Sequence, residues 1–509
     1  APALTPEEPI AYGPPPTVPI QRGHWKVYQA PGGAEYMMRD AEDALAQQAF
    51  GEFDVWESLC LFNKSPRRVD IASINVLRAD EATHFTEPAR RRLEGLLRKH
   101  DDRFAPAGPP TTQIEHRIDT GDHSPISMPP YRLPPAKKEA WEKEVASMLE
   151  AQVIEECESA WAAPVVMVPK PDGRYRICVD YRRLNAITTP DVYPLPRIDD
   201  LLHSTQRPKF ISTIDLQSGY WQVPVRVEDR DKTCFISPFG LYRFRTMPFG
   251  LRNAPATFQR LIDRFRAGLP EVSLLAYLDD LIVLSESDEQ HIQDLGQIFE
   301  RMKLFHLRMN RKKCHFGRSE VHYLGHIVSA RGLEPDGRKV EAIQKIPPPR
   351  NVKELLTFLQ TCSWFRRFVP NFAKISQPLT QLTKKNAPWT WTPTQQNAFL
   401  TLKDALSGPP ILRPAERGQP YILRTDASDH ALGVALLQGE GSDEHPVEYA
   451  SRLLSSAERN YSATEREALA IVWAVNKFRG YLEESTTTII TDCQPLRWLM
   501  NLKSPTGRL

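Results

Sequence analysis

Long apolar runs are absent from this sequence of 509 residues, and neither sign of charge dominates it. Lys and Arg total 65 and Asp and Glu total 63, so the formal net charge at pH 7 is only +2. This balance excludes a histone-like polycation and restricts any nucleic-acid surface to a local groove. No apolar run approaches the roughly 18 residues of a membrane-spanning helix, and the first residues lack the basic-then-apolar order of a signal peptide. We therefore expect neither a membrane protein nor a secreted one.

Cysteine is also scarce. The seven cysteines are odd in number, scattered, and never spaced as C-x-x-C. This pattern favours reduced thiols in an intracellular protein over a disulfide framework. The chain begins with Ala1 instead of Met, so we expect a fragment or a product cut from a longer precursor.

Length and composition predict several globular domains joined by proline-rich linkers. Hydrophobic residues make up 41% of the chain and charged residues 25%, and a domain takes roughly 100–200 residues. The 45 prolines exceed the usual content and gather in bunches such as 14–16 and 347–349, which mark linkers. We predict an unassigned N-terminal region and linker (1–84), a basic helix with a Pro-rich arm and lead-in helix (85–160), an α+β region (161–340), a mainly helical region (341–415) and a βββαβα region (416–509).

Paired carboxylates carry the strongest chemical signal. Asp279 and Asp280 lie between two apolar runs in SLLAYLDDLIVLS, which is typical of a β-hairpin, and Asp215 ends another β-rich run. Adjacent buried carboxylates repel each other unless divalent cations supply the opposite charge. If neighbouring strands gather all three acids, they form an oxygen-rich site for Mg²⁺, and two ions roughly 3.5–4 Å apart suit in-line phosphoryl transfer. The alternatives are a helix N-cap for Asp215 and a polar turn for the Asp pair.

A second hairpin carries two basic residues. The segment VVMVPKPDGRYRICVDY turns at residues 171–173, which pairs 168 with 176 across the strands and puts Lys170 and Arg176 on one face. Diagonal neighbours on a sheet lie roughly 7–8 Å apart, a spacing that can straddle a triphosphate. The alternative is a pair of solvated surface charges.

Two further patterns imitate functional sites. The triplet Asp-Thr-Gly at 119–121 matches that of aspartic proteases, but charged residues flank it, which favours an ordinary turn. His322 and His326 have H-x₃-H spacing, with Cys314 and His315 upstream. An alternating strand would put both histidines on one face, yet no C-x-x-C completes a structural zinc site, so zinc is the minor alternative.

Three acids in the C-terminal region also lie on separate elements. Asp426 ends a strand, Glu467 lies within the long helix, and Asp492 ends the later strand. Such a set suits two-metal hydrolysis. Each acid also has an ordinary interpretation, because strand-end Asp residues often cap turns and Glu465 with Glu467 can form the wet face of a helix.

Taken together, the motifs resemble the reverse transcriptase of gypsy-type LTR retrotransposons, relatives of retroviral Pol, over about residues 85–509. Eight colinear segments carry the resemblance: KPDGRYRICVDYRRLN, STIDLQSGYWQV, FGLYRFRTMPFGLRNAPATFQ, YLDD, KCHFGRSEVHYLGH, WFRRFVPNF, RTDASDHALG and YSATEREALAIVWAV. The resemblance implies an α+β, multidomain protein with a right-hand polymerase fold, followed by a truncated ribonuclease H-like α/β domain. Fingers and palm would take residues 161–340, the helical thumb or connection 341–415, and the ribonuclease H-like domain 416–509.

The resemblance also implies roles for polymerase residues. Asp215, Asp279 and Asp280 match the metal-binding triad of the palm, and VHYLGH resembles the primer grip. Lys313 is a candidate acid for the departing pyrophosphate.

Four residues match the nucleotide site of the family. Lys170 and Arg176 match the fingers residues that grip the phosphates of the incoming nucleotide. Tyr220 falls at the steric gate, where a bulky ring crowds a 2′-OH and so favours deoxynucleotides. Gly250 matches a glycine that lets the backbone approach the template–nucleotide pair, although Phe249 stands where retroviral enzymes usually have Gln.

The ribonuclease H-like match is incomplete. Asp426, Glu467 and Asp492 match acids of that domain, and Glu467 is preferred to Glu465 because it heads the E-A-L-A-I pattern. The sequence has T-D-C where the family usually shows T-D-H. The fourth acid of the family would lie beyond Leu509, so we expect that the domain, as truncated, leaves RNA–DNA hybrids largely uncut.

The implied activity is RNA-directed DNA polymerisation, in which a primer 3′-OH attacks a dNTP on an RNA or DNA template. The implied cofactors are two Mg²⁺ ions per active site, with Mn²⁺ as a substitute. Partners would be template–primer, dNTPs, an RNA–DNA hybrid and other Pol polyprotein segments in a cytoplasmic particle, and the oligomeric state stays open. Candidate contributors to a basic groove are Arg243, Arg245, Trp364, Phe365, Arg366 and Arg367.

Two other functions remain as alternatives. One is an RNA-dependent RNA polymerase, against which Tyr220 and the ribonuclease H-like region argue. The other is a decayed or domesticated element product that only binds nucleic acid, against which the intact palm carboxylates argue.

Overall fold

The computed structural model describes residues 20–22, 25–29, 35–38, 77–131, 135–169, 175–205, 207–408, 410–416, 418–483 and 485–499. The chain divides into two compact units, Ala1–Trp56 and Glu57–Leu509. In the first unit, strands β1 (Ile20–Arg22), β2 (Trp25–Gln29) and β3 (Glu35–Met38) form an antiparallel sheet in chain order. The candidate sites lie in the second unit. No helix in the described part of the chain is long and apolar enough to cross a membrane.

The second unit mixes helices with short strands, as the sequence predicts. Its helices are α1 (Glu87–Lys99), α2 (Pro135–Glu150), α3 (Arg182–Ile187), α4 (Ile198–His203), α5 (Ala254–Ala267), α6 (Asp288–Leu304), α7 (Gly337–Gln344), α8 (Val352–Ser363), α9 (Phe372–Gln381), α10 (Pro393–Ser407), α11 (Ala463–Lys477), α12 (Arg479–Leu482) and α13 (Gln494–Leu499). Its strands are β4 (Ile154–Glu156), β5 (Val165–Pro169), β6 (Tyr175–Val179), β7 (Phe210–Asp215), β8 (Phe235–Ser237), β9 (Gly240–Phe244), β10 (Leu274–Tyr277), β11 (Asp280–Ser285), β12 (His315–Arg318), β13 (Glu320–Tyr323), β14 (His326–Ser329), β15 (Gly332–Pro335), β16 (Tyr421–Ala427), β17 (Ala431–Gln438), β18 (His445–Leu453) and β19 (Thr487–Ile490).

A four-stranded antiparallel sheet, in the order β10-β11-β7-β12, forms the centre of the unit. Alternate residues of β11 enter two different cores. Leu281 and Val283 pack in the cluster that contains residues of α5 and α6, whereas Ile282 and Leu284 pack in the cluster that contains residues of α8 and α10. Because both faces of the sheet are covered, its central strand reads as a continuous apolar run in the sequence.

Strands β5 and β6 form the predicted basic hairpin. Val168 pairs with Arg176, as the sequence predicts. Residues 170–174 lie outside the described residues, so Lys170 and the turn have no structural account. Strands β4, β9 and β8 form a small neighbouring sheet.

The segment VHYLGHIVS is a hairpin, which corrects the single strand that the pattern predicts. Leu324 and Gly325, at φ of 48° and 80°, form the two-residue turn between β13 and β14. Both residues of a type I′ turn take positive φ, which a non-glycine residue such as Leu324 adopts only rarely. The turn makes Tyr323 the direct partner of His326, and both are buried, while His322 stays largely exposed. The two histidines therefore lie on opposite faces, and the prediction that they share one face is wrong.

The C-terminal region has the predicted βββαβα order. Its sheet runs β18-β17-β16-β19, with β19 parallel to β16. Helix α11 packs against β16 and β17. Ser462 and Glu465 form a capping box at the start of this helix. The Glu465 side chain therefore serves as a helix cap.

The motif WFRRFVPNF does not continue the preceding helix. Helix α8 ends at Ser363, and a short 3-10 helix at Arg366–Phe368 leads to α9. Phe365 and Phe368 enter the same core as Tyr323. The motif thereby joins the central sheet to the C-terminal sheet. The five segment limits given above remain predictions.

Candidate active sites

Sheet register brings the three central acids together. Asp215 ends β7, Asp280 begins β11, and the two are direct partners across the antiparallel pair. Asp279 lies in the turn between β10 and β11, after Leu278 at φ of 52°, and its carbonyl oxygen accepts a hydrogen bond from the Leu216 amide at 3.3 Å. The predicted hairpin is confirmed. The N-cap alternative for Asp215 is wrong, because the next helical turn begins four residues later, at Gly219.

The environment of these acids favours their neutral forms. Burial raises the pKa of Asp215 to about 7, against the opposing effect of Lys313, whose Nζ lies 3.1 Å from Asp215 Oδ2. Burial, followed by the charges of Asp279 and Asp215, raises the pKa of Asp280 to about 7. Burial also raises the pKa of Asp279. Three carboxylates that are costly to ionise together are the arrangement that a divalent cation relieves.

The donor set fits magnesium without forming a complete cage. Asp215 Oδ1 is buried and has no hydrogen-bond partner, so one carboxylate oxygen remains available. Within the described ranges, no group of three or more His, Cys, Asp or Glu side chains is gathered as a ready-made metal site. Mg²⁺ usually takes one or two carboxylates and completes its coordination with water and substrate phosphates. The residues present therefore fit the ion as part of a substrate complex.

Aromatic side chains enclose the residues next to the acids. Tyr220 lies in the 3-10 helix Gly219–Gln222 and is buried, stacked on Phe249 with ring centroids 5.1 Å apart. Burial, with a smaller contribution from the charge of Asp279, raises the pKa of the Tyr220 hydroxyl. A Cβ on Gly219 would come within 3.2 Å of Asp279 Cβ, so the chain passes close to that acid.

Gly250 follows Phe249 in a conformation that favours glycine. Its φ is 91°, and its carbonyl oxygen accepts a hydrogen bond from Asn185 Nδ2 at 2.8 Å. Phe249 occupies the position of the Gln that the resemblance leads one to expect. Its ring stacks on that of Tyr220. Arg176 lies in β6, while Lys170 falls outside the described residues.

A cavity of about 240 Å³ opens beside the acids. Its polar lining consists chiefly of Asp215, Asp280, Lys313, Arg318, His322 and Arg338. Sequence reasoning missed Arg318 and Arg338. The available signal was their position, since each flanks the VHYLGH segment within a short distance along the chain.

The predicted basic groove needs correction. Arg367 is buried and pairs with Asp199 at 3.1 Å, and Phe365 is buried too. Arg366 Nη2 donates to the carbonyl oxygen of Ser451 at 2.7 Å. Arg367 and Phe365 are therefore buried inside the protein and do not form a free surface for nucleic acid, whereas Arg366 is exposed and its role stays a prediction.

The two other arginines of the predicted basic groove, Arg243 and Arg245, lie near acidic side chains. Arg243 pairs with Glu155 at 2.8 Å and with Asp231 at 2.5 Å. Arg245 Nε lies 3.7 Å from Glu155 Oε2, so its charge is less strongly paired.

The Asp-Thr-Gly triplet is an ordinary turn, as predicted. Asp119 Oδ1 accepts a hydrogen bond from the Gly121 amide at 3.0 Å, and Gly121 has a φ of 52°. This local bond is typical of an Asx-turn.

A second acid cluster forms at the C-terminal sheet. Asp426 and Asp492 each lie two residues beyond the paired positions Arg424 and Ile490 of the parallel strands β16 and β19. Glu467 Oε1 accepts a hydrogen bond from the Ala427 amide at 3.0 Å.

The charges of both aspartates act on Glu467. Burial, with smaller contributions from Asp492 and Asp426, raises the pKa of Glu467. Its Oε2 is buried without a hydrogen-bond partner. One Glu467 oxygen is therefore free to contact a divalent cation, while within the described residues the three acids do not form a ready-made group of metal ligands.

Two family matches cover the central acids and two of the three C-terminal acids. Residues 168–328 match the family described as "Reverse transcriptase (RNA-dependent DNA polymerase)". Residues 391–489 match "RNase H-like domain found in reverse transcriptase". The first range contains Asp215, Asp279 and Asp280, and the second contains Asp426 and Glu467.

Curated relatives extend the similarity over most of the chain. The "Retrovirus-related Pol polyprotein from transposon 297" of Drosophila melanogaster is 39% identical over 438 residues, which cover 84% of this chain and 41% of the relative. The "Transposon Tf2-3 polyprotein" of Schizosaccharomyces pombe is 34% identical over 380 residues, covering 74% of this chain and 28% of the relative. The chain thus spans less than half the length of these relatives.

Solved structures share the fold. The foamy viral protease-reverse transcriptase in complex with dsDNA aligns with a TM-score of 0.79 at 22% identity, over 88% of this chain and 94% of the other. Its complex with an RNA/DNA hybrid aligns with a TM-score of 0.73 at 23% identity, over 87% of this chain and 61% of the other.

Proposed function

The chain belongs to the reverse transcriptase and RNase H-like region of LTR-transposon Pol polyproteins, and on that premise we propose that it is an RNA-directed DNA polymerase. It would extend a primer 3′-OH with dNTPs along an RNA or DNA template. One observation carries this proposal. The register of β7 and β11 sets Asp215 opposite Asp280, with Asp279 in the adjoining turn and Lys313 paired to Asp215.

The three acids would hold two divalent cations, Mg²⁺ or Mn²⁺ as a substitute. When bound, these ions supply the positive charge that activates the primer hydroxyl and stabilises the leaving pyrophosphate. Asp215 and Asp280 lie on rigid paired strands, so their carboxylates are held in a fixed relation. Lys313, whose Nζ lies 3.1 Å from Asp215 Oδ2, would donate a proton to the departing pyrophosphate.

Four residues would form the nucleotide site. Lys170 and Arg176, from the β5–β6 hairpin, would bind the triphosphate. Tyr220 would exclude a 2′-OH, because its buried ring is held by Phe249 and cannot easily move aside. The backbone at Gly250 would approach the template–nucleotide pair.

The template–primer would enter beside the cavity at the acids. Lys313, Arg318 and Arg338 line this cavity and are paired with Asp215, Asp80 and Asp336 respectively, so a nucleic-acid phosphate would compete with these acids for the three cations. Similarity to foamy viral enzymes in complex with dsDNA and with an RNA/DNA hybrid supports a double-stranded substrate.

The C-terminal acids would form a second divalent-metal site. Asp426, Glu467 and Asp492 would hold the cation, as the acids of ribonuclease H-like domains do when such domains cut the RNA strand of an RNA–DNA hybrid. We further propose that the chain acts with other Pol polyprotein segments in a cytoplasmic particle, and that its domains follow the limits predicted from sequence.

The test is primer extension by the purified chain on an RNA template. We expect incorporation of dNTPs that requires Mg²⁺ or Mn²⁺ and stops when EDTA is added. The exposed-turn variant Asp122→Asn serves as the control and should extend as the unaltered chain does. Preferential use of ribonucleotides would favour an RNA polymerase instead. Binding of template–primer without any extension would favour a nucleic-acid-binding protein.

A further inference from the structure

Asn371 occupies the position that normally caps a helix, yet its side chain does not cap. It precedes α9 as the N-cap residue, in a left-handed conformation with φ of 53°, and makes no side-chain hydrogen bond to the helix. An N-cap Asn usually accepts a hydrogen bond from the backbone amide two or three residues later. Here the amide of Ala373 donates instead to Ser451 Oγ of β18 at 2.9 Å. Ser451 thus leaves the Asn371 side chain free for another contact.

That contact is with the C-terminal sheet. A Cβ built on Gly433 of β17 would overlap Asn371 Oδ1, so the amide lies where any larger residue at 433 would place its side chain. Gly433 is the direct cross-strand partner of Asp426. The other end of the same amide, Asn371 Nδ2, donates to Asp426 Oδ2 at 3.4 Å.

The backbone that carries Asn371 is held from several directions. Arg367 pairs with Asp199 of the α4 helix, and its Nη2 lies 3.6 Å from Glu448 of β18. Arg366 donates to the carbonyl oxygen of Ser451. These bonds connect the segment to helix α4 and to the C-terminal sheet. The backbone that carries Asn371 is therefore held in place beside Asp426.

From this geometry we propose that Asn371 is a positioning residue for the C-terminal acid site, supplied from outside the ribonuclease H-like sheet. The proposal rests on the metal role assigned above to Asp426. The long hydrogen bond to Oδ2, at 3.4 Å, would orient this carboxylate. Metal-ligating carboxylates are commonly oriented by such partners, and their loss typically weakens metal binding by 10–100-fold.

The test uses Asn371→Gly, because glycine accepts the left-handed backbone while removing the amide. The matched control is Asn386→Gly, at an exposed residue that also has a left-handed φ, of 63°. Mn²⁺ alone is titrated into the full chain and followed by electron paramagnetic resonance. The sites of interest are those that disappear in Asp426→Asn.

We expect Asn371→Gly to weaken the Asp426-dependent Mn²⁺ sites by about tenfold, whereas Asn386→Gly leaves them unchanged. Unchanged Mn²⁺ affinity in a folded Asn371→Gly chain would overturn the positioning role while leaving the metal role of Asp426 intact. If Asp426→Asn itself removes no Mn²⁺ binding, the metal role and the positioning role both fall.

A second measurement tests the contact without metal. Gly433→Ala should lower the melting temperature of the unaltered chain, since its methyl group would overlap the Asn371 amide. In the Asn371→Gly background, the same substitution should lower the melting temperature by a clearly smaller amount, because the overlapping atom is gone. Equal losses in both backgrounds would show that Asn371 does not occupy the space at Gly433 and would overturn the inference.

Discussion

The burial of Asp280 beside two other carboxylates predicts that removing its charge stabilises the metal-free protein. In Asp280→Asn the side chain keeps its size but cannot ionise. The pKa of Asp280 is raised from an ordinary 3.8 to about 7 by burial and by Asp279 and Asp215. Three pKa units correspond to at most about 4 kcal/mol, and partial exposure to water reduces this, so we expect a gain of about 1–2 kcal/mol at pH 8.

The sign follows from proton linkage. Between pH 3.8 and pH 7 the folded protein holds a proton on Asp280 that the unfolded chain has lost, so the stability of the unaltered protein falls as pH rises. The advantage of Asp280→Asn is therefore absent near pH 4 and complete above pH 7. Divalent cations should reverse it, because they stabilise the unaltered protein and bind the variant less well.

Hydrogen exchange at the β7 and β11 amides measures this effect locally. We expect slower exchange in Asp280→Asn than in the unaltered protein at pH 8 with EDTA, and the opposite order with Mn²⁺. Asp122→Asn, in an exposed turn, should match the unaltered protein throughout. Equal or faster exchange in metal-free Asp280→Asn at pH 8 would refute the reasoning that burial and the neighbouring carboxylates make ionisation of Asp280 costly.

Three further predictions concern the polymerase site and the cavity beside it. Tyr220→Val should raise the efficiency of ribonucleotide relative to deoxynucleotide incorporation by about tenfold or more, and an unchanged ratio in an active variant would place the gate elsewhere. Lys313→Gln should lower the maximal incorporation rate by about 100-fold with little effect on template–primer affinity, and a normal rate would exclude it as the proton donor. Arg338→Gln should weaken template–primer binding and reduce its salt dependence by about one phosphate contact, which a salt titration of binding would detect.

The sequence was sufficient for elements whose pattern is local. The hairpin around Asp279 and Asp280 follows from two apolar runs with a polar joint, and the 168/176 pairing follows from the position of the turn. That Asp215 would lie directly opposite Asp280 did not follow. Strand order in a sheet depends on contacts between segments far apart in the chain, which no local pattern encodes.

Two predictions failed because local pattern was a poor guide. The turn within VHYLGH uses Leu324 at a positive φ, where Asn, Asp or Gly would have signalled a hairpin. Arg367, beside two aromatic residues, resembled part of a nucleic-acid surface. Its partner Asp199 is distant in sequence, so the ion pair that holds the buried Arg367 could not be inferred from the motif.

The most direct test of the polymerase assignment is single-turnover dNTP incorporation by Asp279→Asn. This change keeps side-chain volume and removes one charge from the acid cluster. We predict a rate at least about a thousandfold lower than that of the unaltered chain, with unchanged affinity for template–primer. A soluble Asp279→Asn chain that extends primers at the normal rate would contradict the account.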